Sequence, residues 1–260
     1  LRSAGGTIRP PEVGSAQDKD ERISRGLQQI LRVARRSLVS DIGLTPIDVP
    51  PNYAAVDGRL GEDGPPVRMT VERFRGSGWE SLTIAEIVRE DGLTVTATII
   101  GLPASDSLFP VLGIDVIALK GTLSLVALDL APTDSGFWEH EAKPVLNRLW
   151  KIADGHLVPR KMPDFAKGSF SDEAVIVAAK PGSEGVAVNA TLALLDGVGR
   201  WMKRVRAAEQ RSIRWREAER RNRKEQQALS RLFGNEFATD FLHNFLFRTP
   251  STEGAEEVAE

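Results

Sequence analysis

Apolar positions change period along this chain, and the changes mark its elements. Within 19–40, Ile23, Leu27, Ile30, Leu31, Ala34 and Leu38 recur at three- and four-residue spacing, which predicts a helix with one buried face. Arg22, Arg25, Arg32, Arg35 and Arg36 fall elsewhere around it. Pro46, Pro50 and Pro51 then predict an extended loop. From residue 67 to residue 130 the period becomes two. Strands are expected at 67–75, 81–89, 93–100, 111–118 and 123–130, and a further one at 172–179. Glu90-Asp91-Gly92 and Lys120-Gly121 stand between consecutive strands as turn signals, so the strands should form an antiparallel meander. Helical patterns return at 139–153, at 186–232 with a break expected near Gly197-Val198-Gly199, and at 235–247 ahead of Pro250. Strands in the middle with helices before and after predict an α+β fold, one antiparallel sheet covered by helices.

The two ends lack such periods. Residues 1–17 are rich in Gly, Pro and Ser and read as a flexible leader, and a processed transit peptide or a trimmed chain would each account for Leu1 in first place. Residues 251–260 are acidic and read as a disordered tail. Residues 18–250 then form a single domain, within the size one hydrophobic core supports.

Composition removes several chemistries. The 260 residues include no Cys. This excludes disulfides, thiolate metal sites and a Cys nucleophile. Against 36 acidic residues stand 34 Lys and Arg, a net charge of −2, which argues against a generally cationic nucleic-acid binder. No apolar run reaches the roughly 20 residues of a membrane-spanning helix. His140, His156 and His243 are scattered, and no Gly-rich phosphate loop, HExxH or GxSxG stands in the chain. The remaining chemistry belongs to carboxylates or to a bound organic ligand.

The stretch VERFRGSGWESLTIAEIVREDGLTVTATIIGLPASDSLFPVLGIDVIALKGTLSLVALDLAPTD, together with GSFSDEAVIV and RRNRKEQQALSRLFGNEFATDFLHNFLF further on, resembles the ferredoxin-dependent bilin reductases. The resemblance rests on a strand ending in GLP that leads into FPVLGIDVIALKG, on LSLVALDLAP beside it, on the Phe-Ser strand, and on C-terminal helices ending in Leu-Phe. It covers about two thirds of the chain in the family's order. It implies an α/β/α sandwich with a central antiparallel sheet. It also implies a biliverdin-like linear tetrapyrrole lying between sheet and C-terminal helices, no permanently bound cofactor, and electrons from a 2Fe–2S ferredoxin. A chloroplast stroma or a cyanobacterial cytoplasm would be its setting.

Asp115 sits among Ile114, Val116 and Ile117. Burial there would raise its pKa toward that of a useful general acid, or the group could simply cap a strand end. By resemblance it matches the family's central proton-donating Asp. Glu86, between Ala85 and Ile87, matches a Glu used at the vinyl end of the pigment, and its alternative is a solvated strand residue. Thr98 stands where one branch has a His beside the Asp and others an Asn. A Thr can hydrogen-bond but carries no charge near neutral pH. Asn222 keeps half of an Asn-Asp pair that projects into the family's pocket, while Arg223 replaces the Asp. Arg is no acid, but it can clamp a propionate bidentately or block the pocket.

Between residues 200 and 232 there are twelve Lys and Arg against four Glu. This stretch could dock an acidic partner such as ferredoxin, contact RNA, or be a solvated helix neutralised by pairs such as Glu217–Arg221. Trp79, Trp138, Trp150, Trp201 and Phe109 suit a core more readily than a pigment cleft. Trp215, beside Asn222 on the basic stretch, is the aromatic assigned to the pigment. Two functions follow: a bilin reductase with Asp115 as donor and Glu86 assisting, or a catalytically degenerate relative that binds or assembles. An enzyme acting on a chlorophyll-derived linear tetrapyrrole ranks behind both.

Overall fold

A computed structural model describes residues 16–60, 64–221 and 223–246, apart from certain side chains, most of them in the C-terminal helices. The first helix, α1 (Ala16–Ala34), continues as a π-helical turn over Arg35–Ser40. It begins inside the stretch read as a leader, whose first 15 residues lie outside the described residues, as does the 251–260 tail. The predicted stripe Ile23, Leu27, Ile30, Leu31, Ala34 and Leu38 is buried throughout.

Among the described residues nine strands follow: β1 (Thr45–Ile47), β2 (Ala55–Arg59), β3 (Pro66–Gly76), β4 (Trp79–Arg89), β5 (Thr94–Pro103), β6 (Val111–Leu119), β7 (Thr122–Ala131), β8 (Leu157–Pro159) and β9 (Val175–Ala179). They form one antiparallel sheet in the order β1-β3-β4-β5-β6-β7-β9-β8, with β2 also on β3. The meander β3 to β7 is the predicted one. Gly92 at φ 83°, and Lys120 with Gly121 at φ 51° and 70°, supply the left-handed turns that such hairpins require. The proline-rich loop is shorter than expected because Pro46 sits in β1, an edge strand that needs no ladder N–H from it.

Helix α2 (Pro51–Ala54) is one turn. Past the sheet, α3 (Ser135–Phe137) is N-capped by Asp134, which accepts from the Phe137 N–H at 2.7 Å. A π turn (Trp138–Ala142) joins it to α4 (Lys143–Ala153), and α5 runs over Glu184–Arg220. The chain divides into two compact units, 1–202 and 203–260. In the first unit α1 packs on β4, β5 and β7, and α4 on β7 and β9. The break expected near Gly197 is not formed. A Cβ at Gly197 would lie 3.5 Å from Val145, one at Gly199 3.4 Å from the Ser37 carbonyl, and one at Gly26 2.8 Å from Val188. These glycines bring α5 close to α1 and α4 instead of ending it.

The second unit contains the end of α5, then α6 (Arg223–Phe233) and α7 (Asn235–Asp240), which passes into a π turn (Phe241–Leu246). Gly234 at φ 91° turns the chain between α6 and α7. Ala238 and Leu242 are buried, and the Phe237 and Phe241 rings stack at 5.6 Å.

Candidate functional site

Alternation along the central strands sorts their side chains onto two unlike faces. In β5, Val95, Ala97, Ile99 and Gly101 are buried, Thr96 and Thr98 are half-buried, and Ile100 and Leu102 are 43% and 42% exposed. In β6, Leu112, Ile114, Val116 and Ala118 are buried, while Gly113, Asp115 and Ile117 are half-buried. The buried set of β5 packs against α1. The other face carries Thr98 and Asp115.

Register fixes who stands beside whom. Ala85 pairs with Thr98, Thr98 with Asp115, Asp115 with Ala127 and Ala127 with Ile176, so one row crosses five strands on the half-exposed face. The Thr98 hydroxyl donates to Asp115 Oδ1 at 2.8 Å. Around this pair the floor is low, formed by Ala85, Gly113 and Ala127, with Ile87, Ile100 and Ile117 at its sides. Such a surface accepts a flat apolar ligand and offers it one hydrogen-bonded carboxyl. Asp115 is therefore less isolated than its sequence neighbours imply, because its closest partner is a hydroxyl across the strand.

Glu86 is not brought to Asp115. It pairs with Ala97, which pairs with Val116, and so lies on the α1 side of the sheet. There Arg35 donates from Nε to Glu72 Oε2 at 2.6 Å and from Nη2 to Glu86 Oε1 at 3.2 Å. Partial burial opposes the guanidinium charge, but the hydrogen bond and field of Glu72, with those of Glu86, outweigh it and hold Arg35 above its ordinary pKa. Ala85, not Glu86, occupies the row of Thr98 and Asp115.

Asn222 and the side chain of Trp215 lie outside the described residues. Arg223 is exposed and lines a polar groove of about 450 Å³ in the second unit with Gln226, Gln227, Ser230, Arg231 and Asn235. Arg211, Arg214, Arg221 and Arg231 of the basic stretch are exposed as well. Trp79, Phe109 and Trp201 are buried, and with Phe137 they form a file of rings at centroid spacings of 5.3, 5.8 and 5.2 Å. These aromatics belong to the core.

One group passed unnoticed as chemistry. Asp129 of β7 pairs with Gly113 and so shares the face of Asp115. It is 5% exposed. Its Oδ1 accepts from the Ser171 hydroxyl at 2.5 Å and the Leu130 N–H at 2.8 Å, and its Oδ2 from the Ser171 N–H at 3.2 Å. Burial raises its pKa. The Ser171 and Leu130 bonds work against that rise, and Glu173 adds to it. The available signal was the presence of Asp129 in LSLVALDLAP and of Ser171 in GSFS, two separate stretches that prove to be one contact.

The model of the ferredoxin-dependent bilin reductase family matches residues 32–248. A crystal structure of phytochromobilin synthase from tomato in complex with biliverdin is similar at 16% sequence identity, over 85% of this chain and 80% of that one, with a TM-score of 0.48. No curated protein matches the sequence.

Proposed function

This chain belongs to the ferredoxin-dependent bilin reductase family, and we propose that it binds a biliverdin-like linear tetrapyrrole on the Thr98–Asp115 face and reduces it. The observation that carries this reading is the 2.8 Å Thr98–Asp115 pair on a low, half-exposed floor inside the stretch the family matches. A 2Fe–2S ferredoxin supplies electrons one at a time, two for each double bond reduced, and the protein and solvent supply two protons. Asp115 gives one of these protons to a pigment carbonyl or pyrrole nitrogen and becomes a carboxylate. The Thr98 hydroxyl then donates to that carboxylate and fixes its rotamer. Exposed Arg and Lys between 200 and 232 dock the acidic electron donor, steering it at low ionic strength.

A second reading has its own observations. The row through Asp115 holds one carboxyl, with Ala85 and Thr98 as its other members on that side, and Arg223 opens onto a groove whose described lining residues include no acid. A relative that binds pigment or an acidic protein without turnover would carry such a site.

Titration of the purified chain with biliverdin separates these. Reduction predicts a shifted visible band on binding and a further change when reduced ferredoxin is added anaerobically. A spectrum that shifts on binding and then stays fixed supports the second reading, and no shift at all removes both pigment readings.

A further inference from the structure

The face that carries Asp115 carries a second carboxyl in a different environment. Asp129 stands diagonally from Asp115, since Asp115 pairs with Ala127 and Asp129 with Gly113. Diagonal neighbours of this kind lie about 7–8 Å apart. The two positions flanking that diagonal are Gly113 and Ala127, so nothing larger than a methyl stands beside it. A Cβ built at Gly113 would meet Asp129 Cβ alone, at 3.9 Å. The two carboxyls therefore adjoin one space that a water molecule can bridge.

The surroundings of Asp129 favour its acid form. Glu173, from the segment before β9, is the charged group whose field adds to the rise, and Asp115 of β6 stands diagonally as the second carboxyl. Lys143 of α4 reaches Glu173 at 3.5 Å, not Asp129. Among the described residues no Lys or Arg forms an ion pair with Asp129. A buried carboxyl lacking a cation either takes a proton or leans on hydrogen bonds. Here the Ser171 hydroxyl at 2.5 Å can serve both states, donating to the carboxylate and accepting from the acid.

We propose that Asp129 stores a second proton for the pigment face and passes it to Asp115 through water in the gap over Gly113. The inference rests on the reductase reading above. Once Asp115 has protonated the pigment, the O–H bond of Asp129 breaks, the proton crosses the bridging water, and a new O–H bond forms on Asp115. Solvent then restores the proton to Asp129. Asp129 acts through Asp115 and is a positioning residue, not one that touches the pigment.

The test begins with infrared spectroscopy of the wild-type chain at neutral pH. The proposal expects a protonated-carboxyl band that disappears in Asp129→Asn. In that variant biliverdin still binds, but ferredoxin-driven reduction slows about 10²-fold, the lower end of what a positioned proton donor contributes. Its rate also loses the fall at high pH that comes from emptying Asp129. Should Asp129→Asn not fold, Ser171→Ala takes its place. Removing that donor makes the carboxylate less favourable, so the fall in rate must move to higher pH. An ionised Asp129 at neutral pH, an unchanged rate and pH profile in Asp129→Asn, or an unmoved profile in Ser171→Ala overturns the relay. Failure of the wild-type chain to bind or reduce biliverdin is a different result. It removes the reductase reading, and the relay with it, whatever the infrared band shows.

Discussion

Gly101→Ala should be among the most damaging methyl additions in the sheet. Gly101 lies on the buried side of β5, and a Cβ there would come within 2.4 Å of Trp79 Cζ3, 2.8 Å of Cη2 and 2.9 Å of Cε3. Three atoms of one rigid ring would have to move together. The ring is 4% exposed and packs on Phe109 at 5.3 Å, which in turn meets Phe137 at 5.8 Å. Among the described residues the indole Nε1 has no hydrogen-bond partner, so packing alone holds the ring. Overpacking costs typically about 1–3 kcal/mol, and the lack of slack places this substitution at the upper end. A loss of about 3 kcal/mol lowers the Tm by about 6–12 °C for a domain of this size. Urea unfolding followed by Trp fluorescence and circular dichroism measures it. Trp79→Phe removes the clashing part of the ring, so the double variant should lose less than the two single losses added, by about 1 kcal/mol or more. A Gly101→Ala chain within about 0.5 kcal/mol of wild type, the range of neutral surface changes, or strict additivity in the double variant, would refute this account of the aromatic file.

Further outcomes follow from the two faces. Asp115→Asn should keep biliverdin binding and lose ferredoxin-driven reduction by about 10²-fold or more, whereas Glu86→Gln, on the α1 side, should leave the bound-pigment spectrum and the rate nearly unchanged; absorbance under anaerobic turnover reads both. Arg35→Gln should destabilise the fold by about 1 kcal/mol, and by less at high salt, because the guanidinium is 35% exposed; urea midpoints at two ionic strengths check it. The raised pKa of Asp129 means that the folded chain holds this proton more tightly than the unfolded one. Its contribution is complete below the ordinary aspartate value of 3.8 and is lost as pH climbs through the raised value; Asp129→Asn should flatten that part of the stability–pH curve. Reversing Arg211 and Arg214 to Glu should slow reduction by ferredoxin chiefly at low salt, read as a weaker ionic-strength dependence.

Period and turn chemistry made most of the fold legible. The α1 stripe, the five-strand meander and the helix over 139–153 stand where the pattern set them, because each buries one continuous apolar face and the hairpins carry residues suited to positive φ. The short strands β1, β2 and β8 did not show, since three to five residues carry too little periodicity and two of these strands contain proline. Gly197 and Gly199 read as a break because local propensity does not reveal a close helix crossing. The site was only partly legible. Thr98 and Asp115 lie on one face because their strands pair directly, whereas Glu86 was joined to them by the family resemblance, and alternation along β4 turns it to the other side from Ala85. Asp129 and Ser171 are 42 residues apart, and no local pattern joins them.

The register of β4 has a consequence for how such a protein could acquire new chemistry. Its partner residues lock the strand in place, since sliding it by one position would eject Leu82 and Ile84, both fully enclosed, into solvent. A carboxylate cannot be recruited to the Thr98–Asp115 row by slippage. Position 85 is instead a half-buried socket opposite Thr98. An acidic substitution there would add a charged neighbour to the row while every interior contact of the strand remained as it is.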